Sequence, residues 1–163
     1  SWALANAAVD LRNFAGRGQN VESCLIHWGN TARVVQANGA ALPGLREVVC
    51  REGTHALHNA MELIETQMPG FFTPTDKPEN RLIVQFTDWD LFSRDNMIEP
   101  LERALSAGVN MLTIGPGGYY QRSDLPYLLG KIRSTTLPGR SHEVVYNKMF
   151  PEAVWDEAAR MLR

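Results

Sequence analysis

The sequence predicts an α/β domain with a mostly parallel central sheet, helices on both faces and one antiparallel hairpin at the sheet edge. Two observations lead to this prediction. Apolar segments with strand character alternate along the chain with segments of helical periodicity, which is typical of parallel sheets. Residues 82–86 are almost entirely apolar, as expected for a strand covered on both faces. The 163 residues suit a single domain spanning 1–163.

Each element is assigned from its apolar spacing and from the turn residues that bound it. Thr54 is the predicted N-cap of the second helix. Gly115 and Pro116 are expected to end the strand at 109–114. In chain order, the predicted elements are a helix at 2–14, strands at 21–28 and 31–36 that form the hairpin, a helix at 55–68, a strand at 82–86, a helix at 95–107, a strand at 109–114, a helix at 125–132, a strand at 143–146 and a helix at 151–162.

Charge and hydropathy exclude several functional classes. Sixteen basic and eighteen acidic side chains leave a formal charge of -2, which argues against a nucleic-acid or membrane-surface partner. No apolar run is long enough to span a bilayer. No secretory signal is visible, so a cytoplasmic location is favoured. Because the chain begins at Ser1 rather than Met, a processed form, an excised piece and a partial chain all stay open.

The two cysteines, Cys24 and Cys50, are predicted to be separate buried thiols. A single disulfide is the alternative. Two cysteines are too few for a cysteine-based zinc site. His55 and His58 share a helical face, but no third ligand has matching spacing, so zinc is not favoured there either.

Three stretches of sequence, the third of them in two parts, together resemble the von Willebrand factor A (vWA) domain family. Residues 21–35 resemble the family's strand hairpin. Residues 52–60, which include Glu-Gly-Thr, are similar to its Gly-Gly-Thr loop and the helix that follows. Residues 82–88 resemble its strand ending in Thr-Asp-Gly, and residues 104–115 resemble the next helix, Gly-Val step and strand ending in Ile-Gly. The resemblance covers nearly the whole chain and implies a three-layer, Rossmann-like fold.

The resemblance implies a candidate metal site. Family members often bind a divalent cation, for which the Gly-Gly-Thr threonine and the Thr-Asp-Gly aspartate are ligands. These positions fall on Thr54 and Asp88, and the implied ion is Mg²⁺, which prefers oxygen ligands. The family's main motif, Asp-x-Ser-x-Ser, is absent from this sequence. The glycine after the turn aspartate is replaced by Trp89, and Asp90 follows.

Each of these residues also has an interpretation without a metal. Thr54 alone can serve as an N-cap, and Asp88 can cap the turn or the next helix. The glycine-rich segment at 115–118 lacks the spacing of a phosphate-binding loop. It is predicted to be a strand-end loop, where Tyr119 and Tyr120 could form the rim of a partner surface.

The resemblance also implies that one strand is missing. The family's first strand lies in the middle of the sheet, so the strands at 21–28 and 82–86 would each lose a neighbour. About five backbone groups on each flank would then lack partners, at about 1–3 kcal/mol for each buried group. We therefore expect upstream residues of a longer chain, or a partner, to supply a strand.

The sequence favours a protein-interaction module over an enzyme. In the first hypothesis, an intact form holds Mg²⁺ through Thr54, Asp88 and the missing motif, and an acidic side chain of a protein partner provides the last ligand. In the alternative, the domain is a structural subunit of a larger assembly, such as a virion, a secretion machine or a chelatase-type complex, and its metal site is degenerate. Catalysis is least favoured because no nucleophile, base and orienting group occur in a known spacing.

Overall fold

The computed structural model describes residues 22, 24–36, 55–74, 81–116, 123–132, 138–139, 141–146 and 160. The chain divides into two compact units, Ser1–Pro69 and Gly70–Arg163. The single domain predicted for 1–163 stays a prediction. The predicted helix at 2–14, all but Arg160 of the helix at 151–162, and residues Cys50, Thr54, Tyr119 and Tyr120 lie outside the described residues.

The first unit contains the predicted hairpin. Strand β1 (Leu25–Trp28) pairs antiparallel with β2 (Ala32–Gln36), and the register is irregular between Leu25 and Ile26. The turn is closed by the Gly29 N–H, which donates to the Thr31 carbonyl at 2.8 Å. Helix α1 (Leu57–Gln67) packs on both strands through its buried face.

The start of α1 differs from the prediction. The helix begins at Leu57 rather than His55, and Ala56, at the N-cap position, provides no capping side chain; the predicted N-cap Thr54 lies outside the described residues. The hairpin turn provides the reason. The Ala56 N–H donates to the Gly29 carbonyl at 3.0 Å, and Asn59 Nδ2 donates to the Asn30 carbonyl at 3.0 Å. These two hydrogen bonds to the hairpin turn, one from the backbone and one from a side chain, fix where the helix begins.

Cys24 lies in this unit as a free, half-buried thiol, so the predicted unpaired thiol is confirmed at this position. Its Sγ lies 3.9 Å from Met68 Sδ. Partial burial raises the pKa of the Cys24 thiol because the thiolate loses hydration.

The second unit is built on a parallel sheet of three strands in the order β3–β4–β5. The strands are β3 (Leu82–Phe86), β4 (Asn110–Pro116) and β5 (Ser141–Tyr146). Leu82 lies opposite Asn110, and Met111 lies opposite Ser141. Strand β4 is central, and its Met111, Leu112 and Ile114 are fully buried, which places the core of this unit around it.

Strand β4 runs two residues beyond the predicted end. Gly115 and Pro116 pair with Val145 and Tyr146, so the predicted break at Gly115–Pro116 is wrong. Proline is tolerated here because β3 has already ended at Phe86. The N–H that proline lacks therefore costs no ladder bond on that side.

Helices of the second unit bury one face each. A 3-10 turn (Arg94–Met97) leads into α2 (Ile98–Ser106), and α3 is Leu125–Lys131. Gly108, with a φ of 84°, follows α2 and allows the left-handed backbone at its end. The buried residues of these helices are Met97, Leu101, Ala104, Leu105, Leu125 and Leu128.

The resemblance implies that β1 and β3 have each lost a neighbouring strand. In the described part of the chain, β1 pairs with β2, and β3 pairs with β4. The missing-strand hypothesis and the supply of that strand stay predictions. No helix among the described residues is long and apolar enough to cross a bilayer.

Two glycines provide a matched test of the packing in the second unit. A Cβ at Gly139 would collide with the carbonyl oxygen of Val109 and lie 2.8 Å from that of Leu105. A Cβ at Gly130, in α3, would meet nothing within 4 Å. We expect Gly139→Ala to lower the free energy of unfolding by about 1–3 kcal/mol. Gly130→Ala should raise it by about 0.5–1 kcal/mol, since alanine favours the helix.

Urea denaturation followed by circular dichroism measures both free energies. Equal effects of the two substitutions would contradict the close backbone approach at Gly139.

Candidate functional site

The candidate site is the turn that follows β3 at the carboxyl end of the parallel sheet, where α/β folds bind ligands. Asp88 is half-buried at the first bend. Its Oδ1 accepts the Asp90 N–H at 3.1 Å, which closes a turn through the side chain. The buried Thr87 Oγ1 accepts the Trp89 N–H at 3.0 Å. The predicted role of Asp88 as a turn cap is therefore confirmed.

Trp89 occupies the position where the vWA pattern has glycine. Its backbone adopts the conformation for which glycine is the usual residue. Its φ is 58°, in the left-handed region that glycine adopts without strain. The side chain is nevertheless 1 % exposed, and its Nε1–H donates to Thr113 Oγ1 at 2.8 Å. Burial of the indole and this hydrogen bond offset the strain. The turn keeps the glycine-like backbone while a large side chain fills the space behind it.

A small buried polar cluster lies under this turn, formed by Gln85, Thr113 and Trp89. Gln85 Nε2 donates to the same Thr113 Oγ1 at 3.1 Å. Gln85 Oε1 is buried and has no hydrogen-bond partner among the described residues. An unpaired buried acceptor costs about 1–3 kcal/mol, so the cluster is incompletely satisfied. The carboxyl ends of β3 and β4 are therefore polar inside an otherwise apolar core.

Asp124 fixes the rest of the turn to the start of α3. Its Oδ2 accepts the Leu91 N–H at 3.0 Å, and its Oδ1 accepts a hydrogen bond from Arg94 Nη1 at 3.0 Å. Its own N–H donates to the Trp89 carbonyl at 2.8 Å. The hydrogen bond to Asp124 raises the pKa of the Arg94 guanidinium above its ordinary value. Three hydrogen bonds from one residue therefore hold residues 89–94 in place.

We call these three hydrogen bonds the Asp124 clamp. A second layer of contacts lies outside it. The Arg94 guanidinium carbon lies 3.7 Å from the centre of the Tyr127 ring. The Tyr127 hydroxyl donates to Asp95 Oδ1 at 2.9 Å, which raises the pKa of that hydroxyl. These residues are on the surface, so the layer presents a charged and aromatic face to solvent.

Phe92 projects from the clamped turn. Its side chain is 66 % exposed, and the next residue, Ser93, has a φ of 53°. Leu129, on α3, is the other exposed large apolar side chain among the described residues, at 39 %. We name residues 87–94 the β3 loop. Sequence reasoning missed Phe92, although a phenylalanine within an Asp-rich turn was a usable signal.

The predicted metal ligands are only partly placed. Asp88 lies at the carboxyl end of β3, as predicted, whereas Thr54 lies outside the described residues, so the pairing stays a prediction. Asp95 and Asp124 are engaged by Tyr127 and by Arg94. Within the described ranges, no three His, Cys, Asp or Glu side chains converge as a metal site.

Comparison with solved structures identifies the fold. The chain is similar to the SpRpn10 VWA domain, with a TM-score of 0.62 and 12 % sequence identity, over 95 % of this chain and 82 % of that one. It is also similar to the conserved hypothetical protein BatB from Bacteroides thetaiotaomicron, with a TM-score of 0.58 and 15 % identity, over 96 % and 87 % of the two chains.

Other comparisons give no match: no family model and no curated protein matches the sequence. At identities this low, the structural likeness establishes the fold alone. The protein has a vWA-like α/β fold, as the motifs at 21–35, 52–60 and 82–88 predicted.

Proposed function

We propose that this protein is an interaction or scaffold domain that binds a protein partner through the β3 loop and performs no catalysis. The observation that carries the proposal is Phe92. It is 66 % exposed on a segment whose backbone Asp124 holds by hydrogen bonds. An exposed aromatic side chain on a rigid turn is the kind of residue that anchors protein interfaces.

Rigidity is what distinguishes this loop from an ordinary exposed turn. Ordering a flexible loop on binding costs free energy that is subtracted from affinity. The Asp124 clamp removes that cost, because Leu91 and Arg94 on either side of Phe92 are already fixed. The adjacent Arg94 and Tyr127 add a cation and a ring, both common in interface centres. The likeness to vWA domains supports the same binding role.

For the finer mechanism, we propose that Mg²⁺ contributes to partner binding. Asp88 and Thr54 would be its ligands in this chain, and an acidic side chain of the partner would complete the coordination. The position of Asp88 at the carboxyl end of β3 supports this proposal. Hard oxygen ligands suit Mg²⁺, and each ligand added by the partner would make binding depend on the ion.

A second candidate is a structural subunit with a degenerate metal site. Trp89 favours it, because a fully buried indole stands at the glycine position of the turn beside Asp88. The interface anchored by Phe92 would be the same in both candidates, and only the role of Mg²⁺ differs.

Phe92→Ala should weaken partner binding by about tenfold or more, since it removes an exposed anchor. The partner is identified by photo-crosslinking from position 92, and dissociation constants are then measured with purified proteins by calorimetry. Leu129→Ala, which shortens the other exposed apolar side chain, is the control and should change the constant much less. Equal losses would contradict assignment of the contact to the β3 loop.

Asp124→Ala should loosen the β3 loop. The Leu91 N–H loses its acceptor, so its amide hydrogen should exchange about tenfold faster or more. Asp95→Ala is the matched control, because it removes only the surface contact with Tyr127. Exchange at Leu91 that is unchanged in Asp124→Ala would show that the loop is held by other contacts.

Titration with MgCl₂ by isothermal calorimetry separates the two candidates. The metal-dependent module predicts binding heat that disappears in Asp88→Ala, and partner affinity that falls when EDTA is added. The structural subunit predicts no heat and no effect of EDTA. Either result leaves the Phe92 interface to its own test.

A further inference from the structure

Thr113 is a polar residue in the core of the second unit. It lies on the central strand β4 and is 1 % exposed. A buried hydroxyl costs free energy unless it is hydrogen-bonded, and valine has almost the same shape and suits a buried strand. Packing alone therefore does not account for threonine at this position. Its hydrogen bonds provide the reason.

The Thr113 hydroxyl is fixed between β3 and the turn above it. Its Oγ1 accepts two hydrogen bonds, from Trp89 Nε1 at 2.8 Å and from Gln85 Nε2 at 3.1 Å. A hydroxyl oxygen has two lone pairs, so both are engaged. Gln85 lies directly opposite Thr113 in the β3–β4 register. The acceptor for the Trp89 indole is thus part of the sheet.

Trp89 transmits the position of this hydroxyl to the backbone of the β3 loop. Its φ of 58° lies in the left-handed region, where a bulky residue stays only if its surroundings hold it. The contacts that hold it are the burial of the indole and the bond to Thr113. Because the backbone conformation of a residue determines where its carbonyl points, the anchored indole also directs the Trp89 carbonyl.

That carbonyl belongs to the Asp124 clamp. It accepts the Asp124 N–H at 2.8 Å, while the Asp124 carboxylate accepts the Leu91 N–H and a hydrogen bond from Arg94, each at 3.0 Å. Phe92 lies between these two residues in the chain. A continuous series of hydrogen bonds and one buried side chain therefore connects the centre of the sheet with the segment that carries Phe92.

We propose that Thr113 is a positioning residue for the β3 loop. Its hydroxyl holds the Trp89 indole, which keeps the Trp89 carbonyl where it receives the Asp124 N–H, and Asp124 then holds Leu91 and Arg94. This inference deepens the proposed binding role, on which it rests. It traces the rigidity of the Phe92 contact to a buried residue that a partner docked on the loop does not reach.

The test is NMR hydrogen exchange of the Leu91 amide in the 163-residue chain. Thr113→Val removes the hydroxyl and nearly keeps the shape of the side chain. We expect the Leu91 amide, linked to Thr113 through Trp89 and Asp124, to exchange about fivefold faster or more. Thr113→Ser keeps the hydroxyl and should return this exchange to within about twofold of the unmodified rate.

Leu112→Val is the matched control for a general loss of stability. Leu112 is the neighbouring fully buried residue of β4 and lies on the other face of the strand. This substitution should lower the free energy of unfolding, measured with urea, by an amount comparable to that of Thr113→Val. It should leave Leu91 exchange within about twofold of the unmodified rate, because the amide opens locally.

Trp89→Phe breaks the same hydrogen bond from the other side, since it removes the indole N–H and keeps an aromatic ring. It should also speed Leu91 exchange. Combined with Thr113→Val, it should add little to its own effect, because the two substitutions remove one contact. If Thr113→Val does not fold, Trp89→Phe decides: Leu91 exchange that it leaves unchanged would reject the role of Thr113.

Three other results would overturn the proposal. They are unchanged Leu91 exchange in folded Thr113→Val, an equal increase in Leu112→Val, and additive effects of Thr113→Val and Trp89→Phe. The exchange measurements need no partner, so they are independent of the binding assay with Phe92→Ala. Unchanged affinity in Phe92→Ala would reject the interface and leave the positioning role of Thr113 intact.

Discussion

The pairing of β4 with β3 and β5 is the interaction on which the rest of the second unit depends. Met111, Leu112 and Ile114 of β4 are wholly excluded from solvent. Burial of these side chains is the main contribution of β4 to the stability of the core, at about 25 cal/mol per Å² of apolar surface buried. The register with β3 then determines where β3 ends, at Phe86 opposite Ile114. The position of the β3 loop follows directly from that end point.

The same register explains how Trp89 is tolerated in a glycine conformation. A left-handed backbone costs a side-chain-bearing residue about 1–2 kcal/mol. Loss of a buried aromatic side chain typically costs about 3–5 kcal/mol, so burial outweighs the strain. That burial is available because Thr113, paired with Gln85 across the sheet, places its hydroxyl within 2.8 Å of the indole nitrogen. These tertiary contacts allow tryptophan at a position where the local backbone conformation favours glycine.

Local signals were sufficient to find the strands and to bound β3, although β4 runs past its predicted end. Long-range contacts account for the other errors. The five residues of β3 were predicted with their observed bounds, because an apolar run flanked by polar residues is a local property. The helix start at Leu57 was misplaced since a contact with Gly29, far away in sequence, fixes it. Asp124 was missed for the same reason: its partner Leu91 is 33 residues away. For Asp88, the family motif gave the correct turn, while its role with Thr54 depends on geometry outside the described residues.

Strand β3 and the β3 loop are joined through one hydrogen bond. The bond from the Thr87 N–H to the Ile114 carbonyl is the last of the β3–β4 ladder and the first constraint on the β3 loop. An edge strand frays more readily than a strand paired on both sides, because each of its residues is held by half as many ladder bonds. The base of the β3 loop is therefore held by one ladder bond, and the contacts of Asp124 with Leu91 and Arg94 hold the part of the loop that carries Phe92.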